Sequence, residues 1–101
     1  MKLGDIVLGD TASFSGTVYA NGAAMDCTGY TLTYEFKGPE DTAANEIVCS
    51  WVSQSGGTWT LAFLAASLDH VGDWEGRFRL DDAPDVVHTF EDFPLTVKAG
   101  L

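Results

Sequence analysis

Residues 71–80 read Val71-Gly72-Asp73-Trp74-Glu75-Gly76-Arg77-Phe78-Arg79-Leu80, and their parity decides the fold class. Trp74, Phe78 and Leu80 share one parity, with Gly76 between them. Asp73, Glu75, Arg77 and Arg79 share the other. Successive side chains of a strand point to opposite faces, so this pattern buries one face and wets the other. A helix would scatter both sets around its axis. The wet face runs two acids and then two arginines, as a partner-facing or a simply solvated surface could. Gly76, on the buried parity, leaves room for a large ring from a facing sheet or marks a bend. The stretch reads as a central strand of a β-sandwich.

Outward from it the same alternation recurs. Residues 30–36 set Tyr30, Leu32, Tyr34 and Phe36 against Thr31, Thr33 and Glu35, and Gly38-Pro39 ends that strand. Residues 58–63 turn Trp59, Leu61 and Phe63 inward, after a polar, glycine-rich hairpin loop at 54–57. Residues 47–53 carry Ile47, Cys49 and Trp51 on one parity and Val48, Ser50 and Val52 on the other. Apolar residues on both sides suggest a central strand, or one covered by a partner. A strand at 12–19 meets the turn signal Asn21-Gly22, both residues tolerating positive φ, and a short return strand at 23–26. Residues 64–69 are the only stretch with helical character, roughly one turn. An acidic turn at 81–85 leads to a strand at 86–90. The last strand, 94–98, begins with Pro94, which suits an edge or a first strand position.

The total is about seven to nine short strands without a useful helix, the signature of an all-β, antiparallel β-sandwich. It is immunoglobulin-like in architecture only, because Cys27, Cys49 and Trp51 lie too close together for the true immunoglobulin spacing. Residues 9–101 form one sandwich domain, and residues 1–8 a short leading strand or an N-terminal arm.

With 101 residues the chain holds one domain, large enough for a core without staples. An apolar content of 46% excludes disorder despite a net charge of −10. Fifteen acids against five bases argue against nucleic acid, which needs clustered Lys and Arg, and against an anionic membrane surface. The charge favours solubility and a basic or cation-bridged partner. Gly4-Asp5 directly follows the first three residues, so no signal-peptide core is visible, and synthesis in the cytoplasm is expected. Cys27 and Cys49 are then expected to be free and buried; a bridge within the chain or between subunits is the minority reading.

No catalytic constellation is found. His70 lies between Asp69 and Asp73, but no Ser, Cys or second His sits at a telling spacing, so it reads as a loop histidine. His88 reads as structural. Asp81, Asp82 and Asp85 are weak calcium candidates, since Ala83-Pro84 interrupts them and an acidic hairpin turn explains them. Glu40, Asp41 and Glu46 invite the same guess with less support. Cys27, Cys49, His70 and His88 include no Cys-x-x-Cys pair, so zinc is set aside, and no cofactor is expected. Trp59 and Trp74 read as core. Trp51 is less decided and is the candidate for a sugar platform or a protein contact.

The order of motifs resembles a known family. Gly9-Asp10-Thr11-Ala12 opens it, and Asp26-Cys27-Thr28-Gly29-Tyr30 steps into an alternating strand that leaves at Gly38-Pro39. Gly57-Thr58-Trp59, then Gly72-Asp73-Trp74 through Phe78-Arg79, then Thr89-Phe90 and Pro94-Leu95-Thr96-Val97 complete it. In this order and spacing they resemble the immunoglobulin-like domain at the N-terminus of phage baseplate upper proteins, over all but the first eight residues. The resemblance implies a docking module that holds other parts onto a phage particle, present in many copies or as a homo-oligomer and located in the virion. Because the sequence ends at Leu101, a free-standing accessory subunit is expected, on the capsid as decoration or on the tail or baseplate. The alternative class is a carbohydrate-binding or adhesion module. Edge strands are only weakly protected by charge, so pairing with a neighbour's strand is expected. The leading segment, with Leu3, Ile6 and Val7, is the first candidate for such an added strand.

Overall fold

The computed structural model describes residues 3–20, 22–39, 43–64, 68, 70–82, 86–90 and 93–99. Its organising strand is β9 (Gly72–Asp82). Along one side β9 pairs antiparallel with β5 (Tyr30–Lys37), from Tyr30↔Asp82 to Lys37↔Glu75. Its other side is shared by two strands. Gly72 to Trp74 pair with β11 (Leu95–Lys98), and Phe78 to Asp82 pair with β10 (Val86–Phe90). β1 (Gly4–Val7) extends the sheet beyond β11, and β6 (Asn45–Val48) extends it beyond β5. A second sheet has the order β2 (Ala12–Thr17), β8 (Thr58–Phe63), β7 (Ser50–Ser53). A two-residue ladder joins β3 (Tyr19–Ala20) to β4 (Ala23–Ala24), with Gly22 at φ +80° beside it. The result is an all-β sandwich of six strands against three.

Parity works as the sequence implies. Trp74, Phe78 and Leu80 of β9 are buried, and Asp73, Glu75 and Arg77 are exposed. Leu32, Tyr34 and Phe36 of β5 and Leu61 and Phe63 of β8 complete the centre of the core. Ring centroids lie 4.9 Å apart for Tyr34–Phe78 and Trp59–Phe78, and 5.5 Å apart for Phe36–Phe63. Each such pair adds about 0.5–1.5 kcal/mol beyond the area it buries.

Two glycines set this packing. Gly76 makes room for Tyr34, whose hydroxyl donates to the Phe93 carbonyl at 2.6 Å. The ring comes from the neighbouring strand of the same sheet, not from the facing sheet, so the sequence expectation is right about space and wrong about its occupant. Gly16 does the same in β2, where an added Cβ would meet the Trp59 indole at 2.6 Å.

Three features depart from the sequence expectation. The described residues hold eleven strand segments where seven to nine strands were expected. Part of the excess comes from residues 47–53, which are two strands. The chain crosses from the large sheet to the small one at Cys49, whose N–H donates to the Leu32 carbonyl at 2.8 Å. Ile47, Cys49 and Trp51 stay turned inward across the break, while Val48 and Val52 remain 65% and 68% exposed. Likewise 12–19 breaks at Val18, between β2 and β3. Finally, β1 pairs with β11 in parallel, Gly4↔Leu95 through Val7↔Lys98, within an otherwise antiparallel set. The helical turn expected at 64–69 falls largely outside the described residues.

Candidate interaction surfaces

The outer face of the large sheet is charged and tied together. Register brings Glu35 of β5 opposite Arg77 of β9 and Glu46 of β6. Arg77 Nε donates to Glu35 Oε1 at 2.9 Å, and Arg79 Nη1 reaches Glu35 Oε2 and Glu46 Oε1, each at 3.3 Å. Arg79 Nε donates to Asp81 Oδ2 at 2.9 Å. The Asp81 hydrogen bond, with the charges of Asp81, Glu35 and Glu46 behind it, holds the Arg79 guanidinium above its ordinary pKa against the opposing effect of burial. Both arginines are thereby engaged by three carboxylates, two of them on other strands. At the end of the sheet, Lys98 Nζ lies 3.1 Å from Asp5 Oδ2, and Thr96 donates to Asp73 at 2.9 Å.

The small sheet is chemically different. Its residues opposite in parity to the core are Ser13, Ser15 and Thr17 on β2, Thr58, Thr60 and Ala62 on β8, and Ser50 on β7. None carries a charge, in a chain with net charge −10. Val52, at the bulge between Trp51 and Ser53, adds an exposed apolar residue.

The candidates named from sequence separate on this frame. Leu3 donates its N–H to the Pro94 carbonyl at 2.7 Å and packs against the core. Ile6 is buried in the core, and Val7 is outward and 40% exposed. The leading segment is therefore a strand of its own subunit, with Ile6 committed inward by its parity and its pairing to β11. Trp51 is half-buried; its indole N–H donates to the Tyr30 carbonyl at 3.0 Å, where Gln54 Nε2 also donates at 3.1 Å. Trp51 also packs against the core.

Asp81 and Asp82 lie within β9 and not in a turn. Asp81 is bound to Arg79, while the Asp82 side chain and Asp85 lie outside the described residues. Of the second acidic group, Glu40 and Asp41 lie outside them too, and Glu46 faces Arg79. Cys27 and Cys49 are free and buried. Burial pushes the Cys49 thiol up to about 12 and raises Cys27, the latter helped by the Asp26 charge. The His70 carbonyl accepts from the Trp74 indole at 2.9 Å, which fixes the turn into β9. His88 sits on β10, opposite Leu80. Asp26 accepts from the Thr28 hydroxyl at 2.6 Å and from its N–H at 3.0 Å. That gives the Asp-x-Thr-Gly motif a local turn to make, and the two bonds hold the Asp26 carboxyl below its ordinary range.

This fold has been seen in a phage protein. The N-terminal domain of phage TP901-1 ORF48 superposes with a TM-score of 0.71 at 14% sequence identity, covering 96% of this chain and 94% of that one. At that identity the likeness is one of fold. No protein-family model matches the sequence, and no curated protein matches it. Sequence reasoning missed the carboxylate partners of Arg77 and Arg79: Glu35 and Glu46 are revealed only by strand register, while Asp81, two residues from Arg79 on the same strand, was readable. It also missed the uncharged outer face of β2 and β8, which was readable as the run of Ser and Thr on one parity.

Proposed function

We propose that this chain is a bacteriophage virion structural protein, a non-enzymatic β-sandwich that binds other particle proteins. It acts as a capsid decoration subunit or as a tail or baseplate accessory subunit, present in several copies on a symmetric particle. It is made in the host cytoplasm and carried in the virion. The observation that carries this role is the likeness to a phage protein domain along nearly the whole of both chains. The two faces of the sandwich support it. The charged face closes its arginines on its own carboxylates, so it has little left to offer an anionic ligand. The small sheet keeps an uncharged surface that a neighbouring protein could cover without desolvating ions. Trp51, the residue that a sugar-binding role would use, spends its N–H on the Tyr30 carbonyl.

The test is co-migration of the chain with purified phage particles from its source on a density gradient, followed with an antibody after a high-salt wash. Retention in the particle band is expected. Confinement to the soluble fraction of the lysate would overturn the role.

A further inference from the structure

The second sheet has an unfinished edge beside an open part of the core. β2 pairs with β8 along one side, and among the described residues no strand pairs with its other side. The ladder shows which backbone groups this leaves over. The Val18 N–H donates to the Gly57 carbonyl at 2.8 Å, one step past the Thr17↔Thr58 pair. Antiparallel pairs alternate between hydrogen-bonded and non-bonded. Gly16↔Trp59 and Phe14↔Leu61 are therefore the bonded pairs, and the N–H and C=O groups of Ser13, Ser15 and Thr17 point out of the sheet. The six residues of β2, Ala-Ser-Phe-Ser-Gly-Thr, include no charge and no proline, the usual guards of an edge.

Below this edge lies a cleft of about 440 Å³. It is lined by Leu3, Phe14, Leu32, Trp59, Phe78 and Phe93, together with residues 15–19 of the chain around β2. Its cause is the mismatch of the two sheets: six strands face three, so the inner face of the large sheet runs on past β2. Unpaired backbone groups beside an apolar cleft are what an extended chain recognises. Main-chain bonds supply affinity, and alternate side chains fill the cleft.

The geometry points to β2 as an acceptor edge for an extended segment of a neighbouring particle protein, added as a fourth strand, with apolar residues at i, i+2 and i+4 entering the cleft and Lys or Arg at its flanks. Charge selects the flanks: the chain carries −10, and the exposed Asp10 stands just before β2. Charge also selects against a second copy, since joining two such chains brings two equally acidic domains together. This inference rests on the virion role proposed above and names its mode of contact.

The experiment uses the full chain and particles stripped of it. Hydrogen exchange is compared between the free protein and the particle-bound protein, and binding is compared between wild type and Ser15→Pro. Proline is tolerated where the N–H faces outward from an edge, so the β8 ladder survives this change. The expected result is slowed exchange across residues 12–17 on binding, and at least tenfold weaker binding of Ser15→Pro. Urea unfolding of the variant checks that it is folded, and the exchange comparison needs no variant. Particle binding with unchanged exchange at residues 12–17 would overturn strand addition and leave the virion role standing. Failure of the wild-type chain to bind particles would overturn both. Protection of residues 12–17 in the concentrated free protein, with dimer formation, would overturn the choice of occupant.

Discussion

Replacing Gly76 with alanine tests how the centre of the large sheet is packed. A Cβ at this position would lie 2.5 Å from the Phe93 carbonyl oxygen and would run into the Tyr34 hydroxyl. Neither atom can yield cheaply, because that hydroxyl donates to that carbonyl at 2.6 Å and the Phe93 N–H donates to the Gly76 carbonyl at 3.0 Å. Overpacking of this kind costs about 1–3 kcal/mol, and a displaced hydrogen bond about 1 kcal/mol more. Alanine in place of a strand glycine returns about 0.5–1 kcal/mol of backbone entropy. The expected net loss is about 1–3.5 kcal/mol. Tyr34→Phe alone removes one hydrogen bond and is expected to cost about 1 kcal/mol. In the double variant the hydroxyl that the new methyl strikes is gone, while the ring carbon that carried it and the Phe93 carbonyl oxygen, each 2.5 Å from the Cβ, remain. The two losses should then fall short of additivity by about 1 kcal/mol, as coupled neighbours do. Urea unfolding followed by tryptophan fluorescence measures all four corners of the cycle. A Gly76→Ala variant within about 0.5 kcal/mol of wild type, or strict additivity, would refute the packing described.

Other expectations follow from the same geometry. Burial raises the Tyr34 phenol above its ordinary value near 10. Its neutral form is the folded one, so its contribution is intact below about pH 10 and is lost as pH rises beyond. The urea midpoint should fall above that pH, and less steeply in Tyr34→Phe. With the Cys49 thiol at about 12 and Cys27 also raised, iodoacetamide at pH 8 should leave the native chain unmodified and label both thiols in urea, as read by intact mass. Glu35→Ala would take Arg77's carboxylate partner and leave Arg79 to Glu46 and Asp81, and should cost about 1–2 kcal/mol in the same urea assay. That figure is below the value for a fully buried pair, because the Arg77 and Arg79 side chains are 51% and 30% exposed. Arg77→Ala, removing the more exposed partner, should cost about 0.5 kcal/mol or less.

The fold class was legible wherever a strand has one wet and one dry face. β5, β8 and β9 declare themselves this way, because period-two alternation is a local signal. The break at Cys49 was hidden because Ile47, Cys49 and Trp51 stay inward on one parity as the chain changes sheets, so the sequence reads straight through it. The parallel pairing of β1 with β11 joins the two ends of the chain, and no local pattern encodes a contact at that separation. For the same reason Ile6 could be read as part of an arm, although its pairing places it in the core. The glycines were half-legible: Gly76 announces space, but only the register shows that Tyr34 fills it. The candidate surface was the least legible feature. That Arg79 meets Glu35 and Glu46 depends on register, and that β2 is an edge depends on strand order; sequence fixes neither locally.

The central claim is that this sandwich is a part of a phage particle, and the copy number of the chain in purified particles tests it most directly. Quantitative mass spectrometry against a known major virion protein gives that number. The account predicts a fixed, symmetry-related count. A number on the order of hundreds would place the chain on the capsid lattice, and one on the order of a dozen to a few dozen on the tail or baseplate. Absence from washed particles in which the other structural proteins are quantified would contradict it.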